Sequence, residues 1–456
     1  MKKWLSRLFT LIIFIGLLLV IMHVYNKYYF NDFIKANEKK GETSYYRDDT
    51  VKYNSSKSYC IESKEYNDAL FFKKINVEKN TPYKITCMVK TENVESDKPE
   101  TAGACISIMG TADQTLPLQG TNDWQKVTLL VDSKDSDTLD VSFRLGGCEG
   151  YSKGKVWFSD IHVEKGTKDT DKNWNVVCFL IDNIDVNLEG NTYSYSLTQE
   201  DKDLLKRNLE RFAETTEEFS EGQMTVSYST IEIKEPLTSL SYDEENGYYV
   251  SGYNIKDVLD PYIKEGKYDH IFVAFRTGDI NQQKAIPVND WIGLGSMRYD
   301  SIGFSNIRMP NDLKKSTMYK YNIKNDTFPE EVFVHEFLHS LERNLSEKGY
   351  TFPALHDNEK YGYESKDKNG LEEWYKDYMS CNINSSSGKT GLAPIVYQTK
   401  PVQESNFTIS EEIEFEKEPK NPFEAIGQII GNFKQILSSK DDSEINQTNY
   451  VTITSD

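Results

Sequence analysis

Polar and apolar residues alternate one by one in the first third of the chain, then give way to longer apolar runs and helix-spaced stripes. Tyr83, Ile85, Cys87 and Val89 alternate with Lys84, Thr86, Met88 and Lys90, the period of two expected of a strand with one buried face. Comparable runs recur at 104–108, 124–131, 141–145 and 156–163, with Gly, Asn, Asp and Lys between them. No helix-length stripe interrupts them. Residues 45–165 are therefore predicted to form an all-β sandwich of jelly-roll type.

After a linker at 166–173, rich in Lys, Asp and Thr, the texture changes. Residues 176–181 are continuously apolar, as in a strand buried on both faces. A helix follows, with Thr198 and Asp201 as its capping box and Leu204, Leu205, Leu209, Phe212 and Ala213 as its inner stripe. Strands at 224–233 and 271–275, with a short helix at 255–263 between them, complete a β-α-β-α-β order. That order predicts an α/β (α+β) unit with a mostly parallel sheet over 174–400. Two Gly-broken, edge-like segments, 292–297 and 302–307, precede a further helix marked by Thr327 with Glu330, Pro329 in the first turn and Gly349 at the end. From 401 to 456 the chain is acidic and polar and is predicted to be a flexible tail with one amphipathic helix at 423–437.

The N-terminus sets an expectation about location. Lys2, Lys3 and Arg7 precede an apolar run at 8–25, about long enough to cross a bilayer core of ~30 Å. No small-residue cleavage site follows the run. Residues 1–30 are thus predicted to be a cytoplasmic stub and an uncleaved transmembrane signal anchor, making this a single-pass protein of the cell membrane with its bulk extracellular.

Length and charge narrow the classes. At 456 residues the chain is expected to hold about two or three domains. A formal net charge of -19 excludes a nucleic-acid partner, because phosphate binding needs an excess of Lys and Arg. Six cysteines with no CxxC pair signal neither a cysteine zinc site nor a dense disulfide framework.

The chemistry lies in His335-Glu336-Phe337-Leu338-His339. Two histidines four apart on a helix project to one side, so both imidazoles can reach one metal ion. Glu336 beside the first histidine is the candidate general base, and the pattern predicts one Zn2+ ion. A catalytic zinc site needs a third protein ligand. His356 is the one histidine beyond the motif helix; Asp357 and Glu359 are the alternatives.

Two stretches resemble known families. The order Thr81-Pro82-Tyr83, Gly120-Thr121-Asn122-Asp123-Trp124-Gln125, Arg144-Leu145-Gly146 and Val156-Trp157-Phe158-Ser159-Asp160 resembles the carbohydrate-binding jelly-roll modules found beside extracellular enzymes. The resemblance implies a glycan partner, with Trp124 and Trp157 as candidate stacking rings and the core as their other place. The HExxH helix after a parallel sheet and edge strand, with Tyr378-Met379-Ser380 further on, resembles the metzincin peptidases. That resemblance implies a zincin-like catalytic domain and makes Met379 the residue of a Met-turn beneath the metal. The chain departs from the clan's pattern at Glu342, where a glycine is usual, and in the longer spacing from His339 to His356.

Together these features predict a cell-surface zinc endopeptidase acting on extracellular proteins or glycoproteins, anchored by its N-terminal helix. The alternatives are a non-catalytic surface protein that binds glycan or protein and keeps a relic metal site, and an amidase of cell-wall peptides.

Overall fold

The structure, a computed structural model, describes residues 29–415 except 31–32, 40–42, 148, 169–170, 266–267, 280–283, 290, 310–327, 348, 365–369, 403–406 and 414. The first unit contains β1 (Tyr29–Phe30), β2 (Phe33–Asn37), β3 (Thr43–Tyr53), β4 (Ser56–Asn67), β5 (Ala69–Asn76), β6 (Pro82–Ser96), β7 (Ala102–Ile108), β8 (Gly120–Asp132), β9 (Thr138–Gly147) and β10 (Ser152–Lys168). They form two antiparallel sheets, in the orders β1-β2-β5-β9-β7 and β3-β4-β10-β6-β8. The alternation seen in the sequence becomes inward-facing Tyr83, Ile85, Cys87 and Val89, packed with Phe71, Phe143 and Phe158 between the sheets.

The second unit begins with β11 (Asn173–Ile181) and the hairpin of β12 (Asn183–Leu188) and β13 (Asn191–Ser196). Next come α1 (Gln199–Phe219), β14 (Thr225–Ile233), the hairpin of β15 (Ser241–Asp243) and β16 (Gly247–Tyr249), α2 (Gly252–Glu265) and β17 (His270–Arg276). The hairpin of β18 (Gly293–Tyr299) and β19 (Ile302–Met309) leads to α3 (Glu331–Glu347) and α4 (Gly370–Met379), then to β20 (Ile383–Ser385) and β21 (Gly388–Thr390). The central sheet runs β14-β11-β17-β19-β18, and β18 is its antiparallel edge. Both faces are buried. Val176, Cys178 and Leu180 join the core under α1, α3 and α4, while Val177, Phe179 and Ile181 join the core on the other face. The capping box of α1 forms, with Thr198 Oγ1 accepting from the Asp201 amide at 3.1 Å and Asp201 Oδ2 accepting from the Thr198 amide at 2.7 Å.

Several expectations need correction. The described chain is mostly β rather than half α/β: hairpins absent from the sequence reading flank the central sheet, and four α-helices occur among the described residues. None of those helices is long and apolar enough to cross a membrane, since each carries charged side chains on its outer face. The apolar run at 8–25 lies outside the described residues, so the expected transmembrane helix and single-pass location at the cell membrane are withdrawn. β19 is an inner strand buried on both faces, not an edge. Thr327 lies outside the described residues, and Glu330 is held by Arg211 Nε at 2.7 Å and Thr215 Oγ1 at 2.7 Å.

The expected tail also begins differently. β22 (Phe407–Ile413) returns to the sandwich and pairs antiparallel with β10, and Phe415 enters the sandwich core beside Phe33 and Phe143 at 5.9 and 6.0 Å. The amphipathic helix at 423–437 lies outside the described residues. With Phe415 only 2% exposed, Phe415→Ala is expected to cost about 3 kcal/mol by chemical denaturation. A cost below about 1 kcal/mol would remove this residue from the core.

The two units also touch elsewhere. Asp113 and Lys134 of the sandwich meet Arg298 on β18 and Glu347 on α3. The Leu116 amide donates to Asp300 Oδ1 at 3.0 Å, and the Leu116 side chain joins the core of the second unit.

Candidate metal centre

α3 carries His335 and His339 on one face because four residues make little more than one helical turn. Their Nε2 atoms lie 3.2 Å apart. The chain leaves α3 through Gly349, whose φ of 77° turns it back, and the returning loop brings His356 Nε2 to 3.3 Å from His339 Nε2. Three contacts place that loop. The Leu355 amide donates to Glu342 Oε1 at 2.7 Å, Trp374 Nε1 donates to the Leu355 carbonyl at 2.8 Å, and the Tyr378 hydroxyl lies 2.9 Å from the Pro353 carbonyl.

The far ring nitrogens decide the tautomers. His339 Nδ1 lies 2.9 Å from Glu342 Oε2, an acceptor, so it carries the proton. His335 Nδ1 lies 2.9 Å from the Tyr375 hydroxyl, which itself donates to Glu331 Oε1 at 2.9 Å; His335 Nδ1 is therefore the donor. Both Nε2 atoms then present lone pairs to each other. Burial, with the neighbouring His339 and His356, lowers His335 to about 3. A cation held between the two nitrogens would relieve their opposition.

The three imidazoles form a group able to hold a metal ion. Nitrogen ligands about 2.0–2.1 Å from a tetrahedral zinc ion lie about 3.3 Å apart, close to the separations of 3.2 and 3.3 Å found here. The ligand atoms of His335, His339 and His356 all lie within 4.8 Å of one another, the one such group among the described residues. Each of the first two imidazoles is oriented through Nδ1, the usual way a metal-binding histidine is fixed.

Glu336 turns toward the edge strand. Its carboxyl accepts from the Gly295 backbone, and a Cβ built at Gly295 would meet Glu336 Oε2 at 2.7 Å, so glycine leaves room that a side chain would take. Burial, and secondarily the charge of Glu331, raises its pKa well above the ordinary carboxylate range.

The other candidate residues are placed as follows. Asp357 pairs with Lys360 Nζ at 3.0 Å and Glu359 is exposed; neither joins the histidine cluster. Met379 is the last residue of α4, buried in the core, with its carbonyl accepting from the Tyr397 hydroxyl at 2.6 Å. The tyrosines of that helix, Tyr375 and Tyr378, are the residues that reach the site. Trp157 is 4% exposed and donates to Asp48 Oδ2 at 3.0 Å, so it belongs to the packed sheet and has no open face for a sugar. Trp124 is half-buried, edge-on to Tyr53 at 5.9 Å. The five described cysteines, Cys60, Cys87, Cys105, Cys178 and Cys381, are free thiols.

Sequence reasoning undervalued Glu342 and missed Tyr375, Glu331 and Gly295. The available signals were the spacing of Glu342 three residues beyond His339 and the aromatic richness of 374–378. Glu342 orients His339, docks the loop of His356 and takes the Tyr378 hydroxyl at 2.8 Å. Glu342→Ala is expected to weaken metal binding about 10–100-fold, measured by competition with a chelator of known affinity. Unchanged affinity would end its orienting role.

No family model matches the chain, and no curated protein matches it. Among solved structures, the enzymatically active domain of Bacteriophage CBA120 tailspike protein 4 is similar at 10% identity and a TM-score of 0.24, over 30% of this chain and 20% of that one. This chain thus spans about a fifth of the tailspike domain's length. A CBM4 structure is similar at 18% identity and a TM-score of 0.21, over 30% and 88% of the two chains. The CBM22-1-GH10 modules of Clostridium thermocellum Xyn10B, complexed with xylohexaose, are similar at 10% identity and a TM-score of 0.22, over 52% and 43%. The neighbours thus include carbohydrate-binding modules; likeness at this level assigns no function.

Proposed function

We propose that the protein is a zinc-dependent hydrolase of peptide bonds in proteins. The observation that supports this most directly is the convergence of three imidazole Nε2 atoms, two with inward lone pairs, on the helix that also carries a buried carboxyl of raised pKa. Bound by His335, His339 and His356, zinc supplies Lewis acidity toward water and toward a carbonyl oxygen. Glu336, beside the first histidine, would take a proton from the attacking water and return it to the departing amine. Glu342 and Tyr375 hold the imidazoles in place. β18 ends the sheet and leaves one backbone edge without a partner strand among the described residues, and an extended peptide can add to such an edge.

The test is zinc content together with cleavage. One zinc ion per chain is expected, with hydrolysis of an unstructured peptide library that stops with chelator and returns with zinc. A chain that takes up no zinc, or takes it up and cleaves nothing, overturns the reading.

A second reading is glycan binding by the sandwich, and the half-buried Trp124 beside Tyr53 is the residue-level observation in its favour. Soluble xylan and a β-1,4-linked galactose polymer are the first ligands to try. Affinity electrophoresis in those polysaccharides, with Trp124→Ala as control, decides it. Retardation abolished by the substitution supports the reading; free migration of the wild-type chain refutes it.

A further inference from the structure

The edge strand β18 carries a bulge beside the metal-bearing helix. Leu294 pairs with Asn306 and Met297 with Phe304, so Gly295 and Ser296 together stand opposite Ser305 alone. Ser296 takes a φ of 62°, a left-handed value that residues other than glycine seldom adopt. Such a conformation persists where its surroundings hold it. The extra residue of a bulge is left out of the ladder, and its carbonyl needs a donor from elsewhere.

α3 provides that donor. Positions seven apart on a helix differ by only about 20° around its axis and lie about 10.5 Å apart along it, so Glu336 and Arg343 stand in one row. Both reach the bulge. The Glu336 carboxyl accepts from the Gly295 backbone, while Arg343 Nη1 donates to the Ser296 carbonyl at 2.7 Å and to the Met297 carbonyl at 2.9 Å. From the facing strand, Ser305 Oγ donates to the Glu336 carbonyl at 3.3 Å. A Cβ at Gly293 or Gly295 would run into Glu336, so strand and carboxyl are in close contact and a shift of one is felt by the other.

The partners of Arg343 set it apart from other arginines of this protein. Arg144 grips Asp68, Arg211 grips Glu330 and Arg276 grips Asp201, each through Nε and Nη2 together. Arg343 makes no such grip: its Nε is buried without an acceptor, and its hydrogen bonds among the described residues go to the two carbonyls that follow Gly295.

We propose that Arg343 is a positioning residue for the hydrolysis, bracing the bulge so that the Gly295 amide holds the Glu336 carboxyl in place. The role rests on the reading of Glu336 as general base. Arg343 belongs neither to the three imidazoles nor to the groups hydrogen-bonded to their Nδ1 atoms, so it acts on turnover and not on zinc.

Two measurements on the full chain test it: kcat and KM per zinc-loaded chain, and hydrogen exchange of the amides at 293–299. Arg343→Gln, too short to span both carbonyls, is expected to lower kcat about 10–100-fold while KM and zinc affinity stay within about twofold of wild type. Exchange at 293–299 is expected to quicken while that of β11 and β17 stays at the wild-type rate. Arg343→Met, which keeps the apolar stem and removes the donors, is expected to behave alike and carries the test should the first variant not fold. A residue that served only stability would reduce the folded fraction and leave kcat per zinc-loaded chain unchanged. With wild-type hydrolysis in hand, a variant kcat within about twofold of wild type, or unchanged exchange at 293–299, overturns the role and leaves Glu336 as the base. A wild-type chain that cleaves nothing removes the hydrolase reading, and this role falls with it.

Discussion

Replacing Glu336 by Gln is expected to leave zinc uptake at the wild-type level and to lower peptide hydrolysis by about 10²–10⁴-fold. The amide still fits the space under Gly293 and Gly295, where the carboxyl is packed against the backbone of β18. It cannot accept the proton of the attacking water. Zinc content and turnover must therefore separate in this variant. Activity within tenfold of wild type would remove Glu336 from the mechanism while leaving the metal assignment standing. Loss of zinc together with activity would instead show that the buried carboxyl shapes the helix rather than the chemistry.

The second large effect is expected at His356. Its Nε2 completes the group with His335 and His339, so His356→Ala leaves two protein nitrogens where a catalytic zinc site ordinarily has three protein ligands. Affinity should fall by more than the roughly 10–100-fold expected of an orienting neighbour such as Glu342. Asp357→Ala and Glu359→Ala should keep wild-type affinity, because Asp357 is paired with Lys360 and Glu359 is exposed. Affinity of all three, measured against one competing chelator, makes the comparison. Wild-type zinc in His356→Ala, with loss in Asp357→Ala or Glu359→Ala, would move the third ligand and falsify the assignment.

Local periodicity made part of this arrangement legible. The spacing of His335 and His339 needs only a helix to set two imidazoles on one face, and the alternation at 83–90 needs only a strand to divide buried from exposed. Both are properties of a few neighbouring residues. The capping pair Thr198 and Asp201 is legible for the same reason, although Asp201 also binds Arg276 at 2.7 and 2.9 Å, a partner 75 positions away that no local pattern announces.

Tertiary structure decided the rest, wherever the partner came from far along the chain or from the backbone. Glu342 reads as an ordinary helix glutamate until the Leu355 amide and the Tyr378 hydroxyl, 13 and 36 positions on, are seen to converge on it. β22 reads as an acidic tail because its interior side chains are exposed; backbone hydrogen bonds join it to β10, and these leave no trace in side-chain pattern. The hairpins beside the central sheet escaped notice because their strands are short and mainly polar. The meeting of Asp113 and Lys134 of the sandwich with Arg298 and Glu347 across the seam is likewise visible only in the folded chain. By itself the sequence determined which residue types stand a turn or a pleat apart, since covalent geometry repeats along the chain. Which distant groups meet was decided by the packing of the two cores, because burial rewards any register that closes them and a linear pattern does not say which one does.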